Sequence, residues 1–359
     1  MAKQHWMVLR AGEQRRWGGE IRRQEIFGRL AARTGASVVD GWPALRRELL
    51  GGRLRRVADR VGLRPPPAAQ RPLAASEQAP ASWLDWLPGH IDPVAVAIYD
   101  DSVLQARAFG IALSEARVEE LNVRRLRNEE LFRWHVVPTA SFARFVGLDM
   151  DRVIVGGNGT VTSRVGSGPW PDIPTIGIAT GAAPGRGLET LIEASRRLRT
   201  SVGELRLHLW LAATGGSSEA YIENLRATTA GESWIQVGSA PYEQLGSALS
   251  QSTVLTIPLP PSEYADVALP VKLFDYMAAG RPIVVTPRRE TVAVVKRFDV
   301  GVVAPGDDPD SIAEALAPLL NDRRRAHEIG ARARAAAEAH FDWSIVGERL
   351  ADEVLSREG

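Results

Sequence analysis

Apolar and polar positions along this chain switch between two periods. Short unbroken apolar runs alternate with longer stretches in which apolar residues recur every three or four positions. The short runs suit strands buried on both faces, and the longer spacing suits helices with one covered face. In the second half, strands are predicted at Thr175–Ala179, Leu205–Leu211, Trp234–Val237, Val254–Ile257, Ile283–Val285 and Gly301–Val303. Helices are predicted to begin near Gly187, Ser218, Pro241, Pro270, Glu290 and Pro309. Glu314–His340 reads as one long helical tail, Phe341-Asp342-Trp343 breaks it, and Ser344–Leu355 reads as a last amphipathic helix. Such alternation predicts a parallel sheet with helices on both faces.

The first half is less regular. His5–Arg10 reads as a strand, Trp17-Gly18-Gly19-Glu20 as a turn, and Glu20–Thr34 as a helix through Ile21, Ile26, Leu30 and Ala31. Ala36–Val39 follows as a strand, so the order opens a Rossmann-like unit. Trp42–Val61 reads as an Arg-rich helix and Arg64–Pro80 as a Pro- and Ala-rich surface loop. Pro93–Tyr99 is a buried-type strand ending in Asp100-Asp101, followed by helices at Val103–Leu113 and Asn122–Trp134. A strand at His135–Val137, a helix at Thr139–Phe145 and a strand at Arg152–Val155 complete this half. Val165–Pro174 reads as a linker, stiffened by proline. The expected domains are 1–165, 166–340 and a terminal helix, 341–359, that returns to the first.

Composition narrows the choice. The 359 residues carry 44 Lys and Arg against 43 Asp and Glu, a balance that argues against a dedicated nucleic-acid binder. The charge is uneven: residues 1–71 hold 15 Arg and one Lys against six acids. That asymmetry fits either an Arg-rich surface or a basic face for a membrane or an anionic substrate. Absence of cysteine removes disulfides, thiolate metal sites and a Cys nucleophile. The six histidines are scattered without metal-ligand spacing, and no Gly-x-Ser-x-Gly elbow occurs. No apolar stretch approaches a membrane span. The expected location is cytoplasmic, with a peripheral contact to the inner membrane face through the basic N-terminal residues.

Candidate chemistry gathers at predicted strand ends. Gly181–Ala194 follows a strand and opens a helix, with Arg186 and Gly187 at the start. Glycine lets backbone approach a ligand, helix starts attract anions, and the Arg fork suits phosphate oxygens. In Leu269–Val285, Pro270 is expected at the first helical position, with Lys272 and Asp275 on one helix face. A surface ion pair is the competing reading of those two. A third loop, Pro258–Ala268, carries Glu263 and Asp266.

These residues resemble a known family. Arg186-Gly187 with LETLIEASRRL, PVKLFDYMAAGRPIVV, GVVAPGD and FDWSIVGERLADEV resemble the carboxyl half of the retaining glycosyltransferases of family 4. WGGEIRRQEIFGRLAARTGASVV resembles that family's first Gly-Gly loop and helix, and Asn158-Gly159 its Asn-Gly before the linker. The resemblance implies an α/β GT-B fold, two Rossmann-like domains facing across a cleft with the last helix crossing back. It implies that Arg186 replaces the family's diphosphate-contacting lysine and that Asp275 replaces the ribose-binding Glu. Leu269, Val271 and Lys272 would face the phosphates, Gly18 and Gly19 would approach the donor, and Gln236, Val237 and Gly238 would border the base. Asp266 is the acid nearest the motif's first Glu, and Asp100 with Asp101 stands nearest the N-domain catalytic position. Thr180 or a neighbour stands where the family has a further Arg.

The expectation is therefore a retaining, metal-independent transferase that moves a sugar from a UDP- or GDP-activated donor to an unidentified hydroxyl acceptor, in carbohydrate biosynthesis, with no cofactor or metal. The alternatives are a sugar-nucleotide epimerase on the same fold and a non-catalytic binding or partner subunit.

Overall fold

A computed structural model describes residues 6–10, 18–45, 72–76, 81–85, 91–213 and 216–358. The chain divides into two compact units. The first holds Met1–Val103, Leu113–Gly157 and Trp343–Gly359; the second holds Leu104–Ala112 and Asn158–Asp342. Leu104–Ala112 and residues 158–165, expected in the first domain, thus group with the second unit.

The first unit is built on β1 (Met7–Arg10), β2 (Ser37–Asp40), β3 (Pro72–Ser76), β4 (Asp92–Ala97), β5 (Trp134–Val137) and β6 (Val153–Val155). All are parallel, in the order β2-β1-β3-β4-β5-β6. α1 (Gly18–Thr34) follows β1, so Gly18 and Gly19 form its first turn. A short α2 (Ala81–Leu84) precedes β4, and α3 (Ser102–Ala108) leaves it. α4 (Glu115–Leu131) and α5 (Ala140–Phe145) flank β5.

Two expectations here need correction. Pro72–Ser76 is a fully buried strand inside the predicted loop; proline is tolerated at the first residue of a strand, and short alanines fit a crowded sheet. α4 begins seven residues earlier than predicted, because Ser114 caps it through the Arg117 amide and only Leu121 and Asn128 are buried along it. The remainder of the Arg-rich helix (46–61), most of the predicted loop and much of the basic N-terminal stretch lie outside the described residues.

The second unit repeats the plan. Its strands are β7 (Thr175–Gly181), β8 (Arg206–Ala212), β9 (Ile235–Gly238), β10 (Val254–Ile257), β11 (Ile283–Val285) and β12 (Gly301–Val303), in the order β12-β11-β10-β7-β8-β9. All pairings are parallel. The helices are α6 (Leu188–Val202), α7 (Gly216–Thr229), α8 (Leu245–Ser250), α9 (Glu263–Val267), α10 (Val271–Ala278), α11 (Arg289–Phe298), α12 (Pro309–Asn321) and α13 (Arg323–Ala336). One face of the sheet buries Ile176, Ile178, Leu207, Leu209 and Leu211 against Leu188, Leu191 and Ile192 of α6 and Leu316 and Leu319 of α12.

The predicted long tail is two helices. Asp322 stops α12 and caps α13 by accepting from the Arg325 amide at 2.9 Å. A π turn, Ala337–Phe341, then leads to α14 (Trp343–Glu358). α14 belongs to the first unit, where it packs along α1. Its Gly347 sits against Arg29, and Arg33 pairs with Asp352.

Two arginines pin the segment that enters the second unit. Arg281 is fully buried and donates to the carbonyls of Gly168, Pro169, Ser250 and Ser252 while its Cζ lies 4.3 Å from the Trp170 ring centroid. Arg334 donates to Thr162, Val165 and Ala278.

Candidate functional site

In the second unit β7 continues to β8 on one side, while β10 lies on its other side. The strand order reverses there, and in open parallel sheets ligands bind beside strand carboxyl ends at that switch point. Two loops meet there. The loop after β7 runs through a 3-10 turn, Pro184–Arg186, to Gly187, which has φ +72°. A Cβ at Gly187 would lie 1.8 Å from the Pro258 carbonyl oxygen beyond β10. Only glycine tolerates both that backbone angle and that approach.

Gly187 occupies the cap position of α6 and Pro270 that of α10, and neither start has a side-chain cap. Ser262, Asp308 and Asp322 cap other helices of this unit with their own oxygens. A helix start without a side-chain acceptor leaves amide donors and partial positive charge to an anion. Pro270 lies one residue before the helix, at the cap, rather than at the first helical position.

Two cations converge on this switch point. Lys272 Nζ donates to Thr180 Oγ1 at 2.7 Å, bringing the first turn of α10 to the end of β7. The Lys272 ammonium is desolvated although the residue is half-buried, and Arg186 adds a second positive charge nearby. Both push its pKa well below the ordinary 10.5, burial more strongly. Arg186 lies over the Phe109 ring, Cζ 3.5 Å from the centroid.

Asp275 does not pair with Lys272. It is buried, and its Oδ1 accepts from the Thr160 hydroxyl at 2.7 Å. Burial raises its pKa to about 7 against the opposing effect of that hydrogen bond. Asn158 donates to the Leu269 carbonyl at 2.6 Å, fixing the residue before Pro270. The side chain of Asp266 meets Arg288 at 3.7 Å, and Arg288 also pairs with Asp307. Gln236 is exposed, while Val237 and Gly238 end β9, with the Trp210 ring 3.0 Å from where a Gly238 Cβ would lie.

In the first unit, Asp100 and Asp101 follow β4 and line a small pocket with Ser102, Asn122, Arg124 and Arg125. Asp101 caps α3 by accepting from the Val103 amide and lies 3.5 Å from Arg125. The structure thus places Arg186, Gly187, Leu269, Val271, Lys272 and Asp275 in the second unit, with Arg186 and Lys272 close enough to interact electrostatically. Gly18, Gly19 and Asp100 belong to the first.

Comparison with known proteins bears on this arrangement. Residues 174–322 match the family model described as Glycosyl transferases group 1. The matched stretch lies within the second unit. A GDP-mannose-dependent monoacylated alpha-(1-6)-phosphatidylinositol monomannoside mannosyltransferase of Corynebacterium glutamicum is 27% identical over 190 residues, 51% of this chain and 47% of that protein. The GDP-mannose-dependent alpha-(1-6)-phosphatidylinositol monomannoside mannosyltransferase of Mycolicibacterium smegmatis is 27% identical over 219 residues, covering 59% and 55%. This chain therefore spans about half the length of the curated relatives it matches.

Among solved structures, HepE of Anabaena in complex with UDP-glucose superposes with a TM-score of 0.68 at 13% identity, covering 98% of this chain and 99% of that one. Sucrose-phosphate synthase of Thermosynechococcus elongatus gives 0.66 at 15% identity, covering 99% of both. At such identities the likeness establishes the fold, which is GT-B.

Within the second unit, two residues that contact the candidate site gave no signal in the sequence. Phe109 and Thr160 each act on a partner far along the chain, Thr160 on one 115 positions away. Thr180 left a signal, since it directly follows the predicted strand Thr175–Ala179 and precedes the Gly-rich loop. Among the described residues no helix is long and apolar enough to cross a membrane.

Proposed function

We propose that this chain is a retaining, metal-independent glycosyltransferase that moves a sugar from a nucleoside-diphosphate donor to a hydroxyl acceptor. The observation that carries the reading is Lys272 bonded to Thr180 near the end of β7, with Arg186 on the loop that follows, at a switch point flanked by two helix starts without side-chain caps. Such a cluster suits a diphosphate. Charge grows on the departing diphosphate as the glycosidic bond breaks, and preorganised donors and cations act most strongly on that growth. The protein's own cations supply the stabilisation that a metal supplies elsewhere.

The nucleoside would extend from the diphosphate toward Asp275 and the end of β9, with Gln236, Val237 and Gly238 at the base. The acceptor would bind the first unit, near Asp100. Attack from the face that the diphosphate leaves, with a phosphate oxygen taking the hydroxyl proton, gives retention. The named relatives use GDP-mannose and the superposed HepE holds UDP-glucose, so GDP and UDP sugars are the donors to test first.

The test is Arg186→Ala assayed with a panel of UDP and GDP sugars, alongside thermal shifts with UDP and GDP. A native-state ligand raises stability by mass action. The expected outcome is a folded variant with at least tenfold lower transfer and a reduced thermal shift. Wild-type turnover in the variant would overturn the diphosphate assignment.

A further inference from the structure

Leu104–Ala112 precedes the second unit in sequence by dozens of residues yet packs within it. At its centre lies Phe109, 5% exposed. The Phe109 carbonyl accepts from the Gly185 amide at 3.3 Å. A Cβ at Gly185 would lie 2.2 Å from the Ala108 carbonyl oxygen and 2.5 Å from Phe109 Cα. The loop carrying Arg186 is thus laid directly on this segment's backbone, with glycine as the only residue that fits the contact. Gly110 turns the chain at φ +66° beside Pro184.

The Phe109 ring is itself held. Tyr264 of α9 meets it edge-on, with centroids 5.9 Å apart at 86°. Gln105, one helical turn back, donates to the Tyr264 hydroxyl at 3.2 Å. Over the ring sits the Arg186 guanidinium, its Cζ 3.5 Å from the centroid. A guanidinium stacked on an aromatic face is attracted by the ring quadrupole, and its donors radiate in the perpendicular direction, in its own plane. Stacking therefore fixes the plane of the fork without consuming its edge, and the edge is what binds phosphate oxygens.

We propose that Phe109 is a positioning residue of the donor site: its ring sets the plane of the Arg186 guanidinium toward the donor diphosphate. The proposal rests on the reading of Arg186 as a diphosphate ligand. It makes a segment from outside the matched family region, residues 174–322, a working part of the donor loop. It also carries an electrostatic consequence. Arg186 depresses the pKa of Lys272, so releasing the guanidinium from the ring lets that pKa rise.

The experiment compares Phe109→Leu, Phe109→Met and Phe109→Tyr with the wild type and Arg186→Ala, using calorimetric titration with GDP and UDP from pH 6 to 10. Leu and Met keep apolar volume and remove the π face; Tyr keeps the face. Phe109→Leu is expected to bind the preferred diphosphate about tenfold more weakly, with the pH at which binding declines moved upward. Affinity for the corresponding nucleoside is expected to stay unchanged, and Phe109→Tyr to restore diphosphate affinity and pH midpoint. Phe109→Met replaces Phe109→Leu if the latter does not fold. Wild-type affinity and midpoint in the Leu or Met variant, with Arg186→Ala impaired, would overturn the role of Phe109 alone. Unimpaired diphosphate binding by Arg186→Ala would instead overturn the underlying reading. Loss in Leu, Met and Tyr alike would mark Phe109 as packing only and also overturn the proposal.

Discussion

Lys272 and Asp275 are one turn apart on α10, and burial moves their proton equilibria in opposite directions. The Lys272 pKa falls, and that of Asp275 rises to about 7. A diphosphate beside Lys272 favours the ammonium and pulls its pKa back up. Between the lowered and the ordinary value, binding therefore takes up a proton. Diphosphate affinity is expected to fall as pH rises through that window, by up to tenfold per unit. Calorimetry in two buffers of different ionisation enthalpy would measure the proton taken up, and Lys272→Met should abolish it.

For Asp275 the folded pKa lies above the unfolded 3.8. Its contribution is fully present below the unfolded value and is lost as pH rises through about 7. Asp275→Asn cannot ionise, so the stability of the wild type relative to it should decline between pH 4 and pH 8. The expected difference, read from urea unfolding of the ligand-free protein, is on the order of 3–4 kcal/mol.

Elements repeat the lesson on a larger scale. A residue that must be glycine for two reasons anchors the loop between β7 and α6. Gly187→Ala meets both a positive φ and the Pro258 carbonyl. A cost of about 3 kcal/mol or more is expected from strain plus overlap, accompanied by loss of diphosphate binding, as measured by unfolding and titration. The strands that flank this loop were legible, because continuous Val, Ile and Leu runs have few other uses in a chain of this length. Pro72–Ser76 was not, since proline and alanine read as loop and the strand's worth comes from neighbours on both sides. Nor was the break at Asp322, where helical periodicity runs through a capping residue without interruption. Within the site, Gly187, Lys272 and Asp275 announced themselves by local pattern. Thr160 and Phe109 could not, because their roles exist only through partners brought in by the sheet topology.

At the scale of the whole molecule, chain order and folded unit do not coincide. α14 is the last element in sequence but shares the core of the first unit. Trp343, Val346, Leu350 and Val354 are all buried, and Trp134 donates to Glu358 at 2.7 Å. The nucleotide-binding chemistry proposed above lies in the other unit. A charge placed in the α14 seam should therefore act on one unit and spare the other. Val354 has no exposure, and Val354→Asp would bury an unpaired carboxylate, at a cost of about 3–5 kcal/mol. The expected result is a thermal profile split into two transitions, with the earlier one lost from strands β1–β6 by hydrogen exchange. The later transition should still shift upward on adding GDP or UDP, by as much as the wild type's. Loss of the nucleotide shift together with the first transition would show that the second unit depends on the first for its donor site. Retention of the shift alongside abolished transfer would assign binding of the donor to one unit and the remainder of the reaction to the other.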